Sequence, residues 1–68
     1  MKMWICRTKG GDLSIHERPN PSYVDVSDAW YGDLRGYIGR NNFPEVTFEN
    51  SPQEVELKLI EKSQQMNF

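Results

Sequence analysis

Apolar and polar side chains alternate with period two in residues 13–18 and again in residues 54–59, and an apolar run rich in strand-forming types opens the chain. In residues 3–8, Met3, Ile5 and Arg7 fall on one face of an extended segment and Trp4, Cys6 and Thr8 on the other, since successive side chains of a strand point to opposite sides. "KGGD" follows, with two glycines able to supply the positive φ of a tight turn. Residues 13–18 alternate, Leu13 and Ile15 against Ser14, His16 and Arg18. A run of strand-forming residues and an alternating run around a glycine turn predict an N-terminal β-hairpin. Pro19 and Pro21 end it, because proline offers no N–H to a ladder and pushes its predecessor away from helix. "YVDV" then reads as a short extended piece and "SDA" as a turn.

The segment "AWYGDLRGYIGR", residues 29–40, can be tried against both periods. A helix would align Trp30, Leu34 and Ile38, but Gly32, Gly36 and Gly39 would each cost about 1 kcal/mol relative to alanine. A strand places Trp30, Leu34 and Ile38 on one face and Tyr31, Arg35 and Tyr37 on the other, with the glycines marking bends or bulges. The spacing therefore predicts an extended segment broken near Gly32–Asp33, then a strand through "GYIGR". "NNFPEV" reads as a turn or one helical turn, and Thr47–Phe48 as extended chain.

The C-terminal run carries two patterns. Ser51, Pro52 and Glu54 form a capping-box start with proline at the first helical position. Val55, Leu57 and Leu59 alternate with Glu54, Glu56 and Lys58, as a strand with one wet face does. The strand is preferred over residues 52–62, with helix the alternative, and residues 62–68 are expected to fray. The fold expected is mainly β, with a small α+β arrangement the variant. It is an antiparallel sheet of four to five strands with at most one short helix, in a single domain over residues 1–68. Its core should draw on Trp4 or Ile5, then Leu13, Ile15, Trp30, Leu34, Ile38, Phe43, Val46, Phe48, Val55, Leu57 and Leu59.

"WICRTKGGDLSI", residues 4–15, and "FPEVTFENSPQEVELKLI", residues 43–60, together resemble a group of small proteins from phages and mobile elements of gut bacteria. The shared pattern is an aromatic-x-x-Arg hairpin strand, a Gly-x-Leu second strand and the Phe-Pro-Glu-Val-Thr ending before an alternating run. Residues 29–40 depart from it, being richer in glycine and arginine. The resemblance implies a β-rich fold and a phage or mobile-element setting. It carries over no catalytic residue.

Length narrows the rest. A chain of 68 residues buries only about 60% of its unfolded surface, so its stability margin is thin. One cysteine closes no intrachain bridge, which leaves tight packing or self-association to hold the domain. A lone Cys6 suits a reducing compartment. The opening apolar run meets Arg7 too soon for a signal-peptide core or a membrane span, so a cytoplasmic protein is expected. The formal charge is −2, from eight basic and ten acidic side chains, and sets up no global field for polyanions. Within residues 1–40 the four arginines, Lys2 and Lys9 face five acids, leaving room for a local basic face.

Candidate chemistry is sparse. Cys6 and His16 lack zinc-ligand spacing and would need carboxylates to complete a site, so no metal or cofactor is expected. Cys6 reads as a small buried hydrophobe and His16 as a solvated strand histidine. A thiolate or hydroxyl nucleophile would need an oriented base, and no third orienting group is visible. Glu54 and Glu56 fit a solvated face. Gly32, Gly36 and Gly39 match no G-x-G-x-x-G pattern, and no phosphate loop occurs. The chain thus reads as a non-enzymatic accessory protein with no small-molecule substrate.

Two binding readings remain. Trp, Tyr and Arg dominate protein–protein hot spots, and Trp30, Tyr31, Arg35, Tyr37 and Arg40 supply all three within one segment. An open sheet also leaves edges for another chain, a partner or a second copy. The alternative is a single-stranded nucleic-acid binder using Tyr31, Arg35, Tyr37 and Arg40 with Arg7 or Arg18. The plainer reading is that the tryptophans are core and the arginines lie over it.

Overall fold

The computed structural model describes residues 1–57. Leu59 and the run expected to fray lie outside the described residues. The chain is mainly β, with strands β1 (Lys2–Arg7), β2 (Leu13–His16), β3 (Ser22–Val24), β4 (Ala29–Tyr31), β5 (Leu34–Ile38) and β6 (Gln53–Glu56). A 3-10 turn at Asp25–Ser27 joins β3 to β4. The strands form a four-stranded antiparallel sheet in the order β5-β2-β1-β6 and a two-stranded β3–β4 ribbon.

The expected N-terminal hairpin is present. Thr8 N–H donates to the Asp12 carbonyl at 2.9 Å and Gly11 N–H to the Thr8 carbonyl at 3.1 Å. Gly11, with φ +103°, supplies the left-handed residue that lets this three-residue loop close with a bulge. This turn sets which backbone groups face which way, because antiparallel ladders alternate bonded and non-bonded pairs. Counting from the Thr8–Asp12 pair, Cys6 and Trp4 bond toward β2, while Leu13 and Ile15 turn toward β5.

One face of the sheet is the core. Ile5, Leu13 and Val46 are buried together, with Ile15, Ile38 and Val55 packed against them. Val46 arrives from the long connection between β5 and β6, which crosses this face. Met3 is buried beside its cross-strand partner Val55. The opposite face carries Trp4, Cys6, Ser14 and His16.

Several expectations are corrected here. The break expected near Gly32–Asp33 is present, and it is sharper than a bend within one sheet: Gly32 (φ +135°) and Asp33 (φ +51°) turn the chain out of one sheet and into another, so Trp30 and Tyr31 share no strand face with residues 34–38. Trp30 is thereby half-buried in the ribbon, where Tyr23, Trp30 and Phe48 form a satellite aromatic cluster with centroids 4.7–6.2 Å apart. Leu34, Phe43 and Leu57 are exposed rather than core. Thr47–Phe48 opens a turn, not a strand, because the Thr47 and Asn50 side chains capture each other's backbone N–H. The capping-box reading yields no helix at Gln53–Glu56; ladder pairing of Val55 with Met3 takes that segment into the sheet.

Candidate protein interface

Each residue singled out in residues 29–40 has a definite place. Trp30 is tied inward, its indole Nε1 donating to the Arg7 carbonyl at 3.0 Å. Tyr31 projects from the ribbon, about half exposed, with its hydroxyl 3.2 Å from Ser27 Oγ. Arg35 pairs with Glu17 at 2.5 Å and Asp33 at 3.5 Å, and the Glu17 hydrogen bond, the largest influence, holds its guanidinium above its ordinary pKa. Tyr37 is 76% exposed. Arg40 folds back onto the hairpin turn and donates to the Gly10 carbonyl. The structure thus places Arg35 and Tyr37 on one edge strand, Tyr31 on the separate ribbon, and commits Trp30 and Arg40 to the fold.

That edge strand is β5. Its register against β2 pairs Leu13 with Ile38, Ser14 with Tyr37 and Ile15 with Gly36, then slips so that His16 meets Leu34 and Arg35 becomes the extra, bulged residue. The hairpin alternation turns Gly36 and Ile38 toward β2, so the N–H and C=O of Tyr37 face the open side. A Cβ built on Gly36 would meet no atom within 4 Å, and its φ is unstrained. From Gly36 to Gly39 the edge carries no charge. The opposite edge, β6, is different: Glu54 pairs with Lys2 at 3.4 Å and Glu56 with the N-terminal ammonium at 2.8 Å. That ammonium holds the Glu56 carboxyl below its usual pKa. Charged side chains on an edge discourage a further strand, and β5 lacks them over its second half.

Arg7 is fully engaged within the chain. Its Nε donates to the Val46 carbonyl at 2.6 Å, Nη1 to Gly11 and Arg40 at 2.7 and 3.0 Å, and Nη2 to Asn42 and Phe43 at 3.0 Å each. All five guanidinium N–H groups are used on backbone carbonyls. A cleft of about 330 Å³ lies beside it, lined by Thr8, Lys9, Pro44, Thr47 and Phe48 among others. Lys9, its other cation, is bound to Asp25 at 2.9 Å and sits over the Tyr23 and Phe48 rings. Both cations already have partners within the chain.

The remaining chemistry-bearing side chains are enclosed. His16 is fully buried, which corrects the expectation of a solvated strand histidine. Its Nδ1 lies 2.9 Å from the Gly32 carbonyl and its Nε2 2.8 Å from Ser14 Oγ. A carbonyl only accepts, so Nδ1 carries a proton; in the neutral ring the Ser14 hydroxyl then donates to Nε2. This is the arrangement of a hydroxyl with its base, but Ser14 is only 4% exposed. Cys6, across from Ser14, is buried, and burial pushes its thiol pKa up to about 12. Among the described residues no group of three or more His, Cys, Asp or Glu is placed to hold a metal ion. No helix among them is long and apolar enough to cross a membrane.

Sequence reasoning left two features of this site unplaced. The glycines of residues 29–40 signal a bend or bulge, but nothing in the composition sets it at Arg35. The burial of His16 depends on Gly32, sixteen positions later. Comparison with family models, with curated proteins and with solved structures finds no match for this chain.

Proposed function

We propose that this chain is a non-enzymatic protein-binding domain that takes an extended polypeptide segment along the outer edge of β5. The observation that carries the reading is the edge at Tyr37, uncharged and unpaired among the described residues, where an outward-facing backbone N–H and C=O accompany the most exposed of their aromatic rings. Strand addition of this kind draws affinity from main-chain hydrogen bonds and selectivity from alternate side chains. Tyr37 and Leu34 supply the apolar contacts, and Arg35 stands at the bulged end.

A protein partner is favoured over nucleic acid because four of the cations, three of the four arginines among them, are engaged within the chain. Arg7 serves five carbonyls, Arg35 two carboxylates, Arg40 the Gly10 carbonyl and Lys9 Asp25. Affinity for phosphates rests on cations free to displace counterions. An enzymatic role is disfavoured by the burial of Ser14, Cys6 and His16.

The test is a photo-reactive phenylalanine analogue installed at position 37, and separately at Glu49, in protein produced in its native host. The reading expects position 37 to yield adducts that map to one continuous stretch of polypeptide and exceed those at position 49. Equal yields at both positions, or adducts to nucleic acid alone, would overturn it.

A further inference from the structure

Resting on the β5-edge reading, we infer that the segment received there is β5 of a second copy, paired antiparallel about a twofold axis at Tyr37. The strand is complementary to itself in that register. Tyr37 lies opposite its own copy and exchanges two backbone hydrogen bonds with it, since its N–H and C=O face outward. Gly36 then lies opposite Ile38 of the second copy, and Ile38 opposite the second Gly36. The space over Gly36, where a Cβ would meet nothing, is filled by an apolar side chain already at the margin of the core. Paired residues share a sheet face, so the two core faces become continuous.

Three further observations point to the same occupant. The bulge at Arg35 lies outside the three-residue window of regular pairing, so it ends the contact without interrupting it. The window carries no charge, so two identical copies meet without like-charge repulsion. The buried apolar side chains of the described residues are few, Met3, Ile5, Cys6, Leu13 and Val46, and a domain this small gains from joining sheets. A contact of this size is weak and concentration-dependent, as a C2 pair of short edges should be.

Sedimentation equilibrium of the purified protein across about 1 µM to 1 mM, the range of weak interfaces, should show molar mass rising toward twice the monomer value. The register is read with Tyr37→Cys. Hydrogen-bonded antiparallel partners sit about 5.5 Å apart at Cα, inside the span a disulfide bridges, whereas position 35 would lie four residues along from its own copy. Tyr37→Cys should therefore form a disulfide-linked dimer at least about tenfold faster than Arg35→Cys. Tyr37→Pro removes an outward N–H and leaves the β2 ladder intact; its mass should stay monomeric throughout.

A wild type that remains monomeric at the top of the range overturns the inference. So does a dimer in which Tyr37→Cys links no faster than Arg35→Cys. If Tyr37→Pro fails to fold, the cysteine comparison still decides. A monomer whose position-37 photo-adducts map to a different polypeptide keeps the binding reading and discards the second copy; a monomer with no position-37 preference discards both.

Discussion

The indole of Trp30 donates to the backbone carbonyl of Arg7 at 3.0 Å, fastening the β3–β4 ribbon to the first strand of the main sheet. The most prominent aromatic of residues 29–40 is therefore a structural tie. Trp30→Phe keeps most of the ring in the Tyr23–Phe48 cluster and deletes the donor. It should lower unfolding free energy by about 1 kcal/mol, the net worth of one such bond, in urea titration. Partner capture at the β5 edge should be unchanged.

Arg7→Lys should be costly although charge is retained. An ammonium has three donors and no planar fork, so it cannot serve five carbonyls spread over two loops. The expected loss is on the order of 2–4 kcal/mol in chemical denaturation. Hydrogen exchange should show the Val46 amide, bonded to the Phe43 carbonyl at 2.9 Å, losing protection first. Arg35→Lys, at an exposed ion pair, should leave the midpoint where it was.

Stability should fall at both pH extremes for identifiable reasons. The Asp28 carboxylate accepts from the Tyr23 hydroxyl at 2.6 Å and from the Lys9 and Gly10 amides at 3.0 Å, and the Tyr23 bond foremost holds it below its ordinary pKa of 3.8. A depressed folded-state pKa contributes stability that is present above 3.8 and lost as pH falls through the folded value. Tyr23 is the opposite case: burial first, then Asp28, raises it from 10.0 to about 12. Its contribution is complete below pH 10 and declines as pH rises toward 12. Tyr23→Phe should flatten the alkaline limb of a urea-midpoint profile, and Asp28→Asn the acid limb.

Cys6 should be silent toward thiol reagents in the native protein. Its thiol is fully enclosed and held neutral, with a pKa raised by burial to about 12. Labelling by an aromatic disulfide at pH 8 should proceed at the rate of unfolding and accelerate in urea along with the loss of structure. Rapid labelling of folded protein would show that this face of the sheet opens independently.

The hairpin was legible because alternation and two glycines act locally, between residues a few positions apart. Val55 in β6 was legible for the same reason. Residues settled by distant partners were not. His16 looks solvated until Gly32 closes against it, and Leu34 looks like core until the bulge at Arg35 turns it outward. The break at Gly32–Asp33 is legible from its residues, but that it carries Trp30 and Tyr31 into a separate ribbon is not, because pairing partners decide which sheet each side joins. Within the candidate interface, residue type marked Arg35 and Tyr37 as exposed contacts. Only topology could show that they stand on an edge.

Arg7 holds the connection between β5 and β6 by its carbonyl oxygens, a feature every amino acid shares. Arg40, Asn42 and Phe43 are gripped at positions where the identity of the side chain is irrelevant to the grip. The grip on residues 40–43 therefore tolerates drift in sequence so long as one arginine in β1 is retained. A lineage of such proteins would preserve that arginine and Val46 while the surface between them diverged, leaving this loop free to acquire new specificities on an unchanged frame.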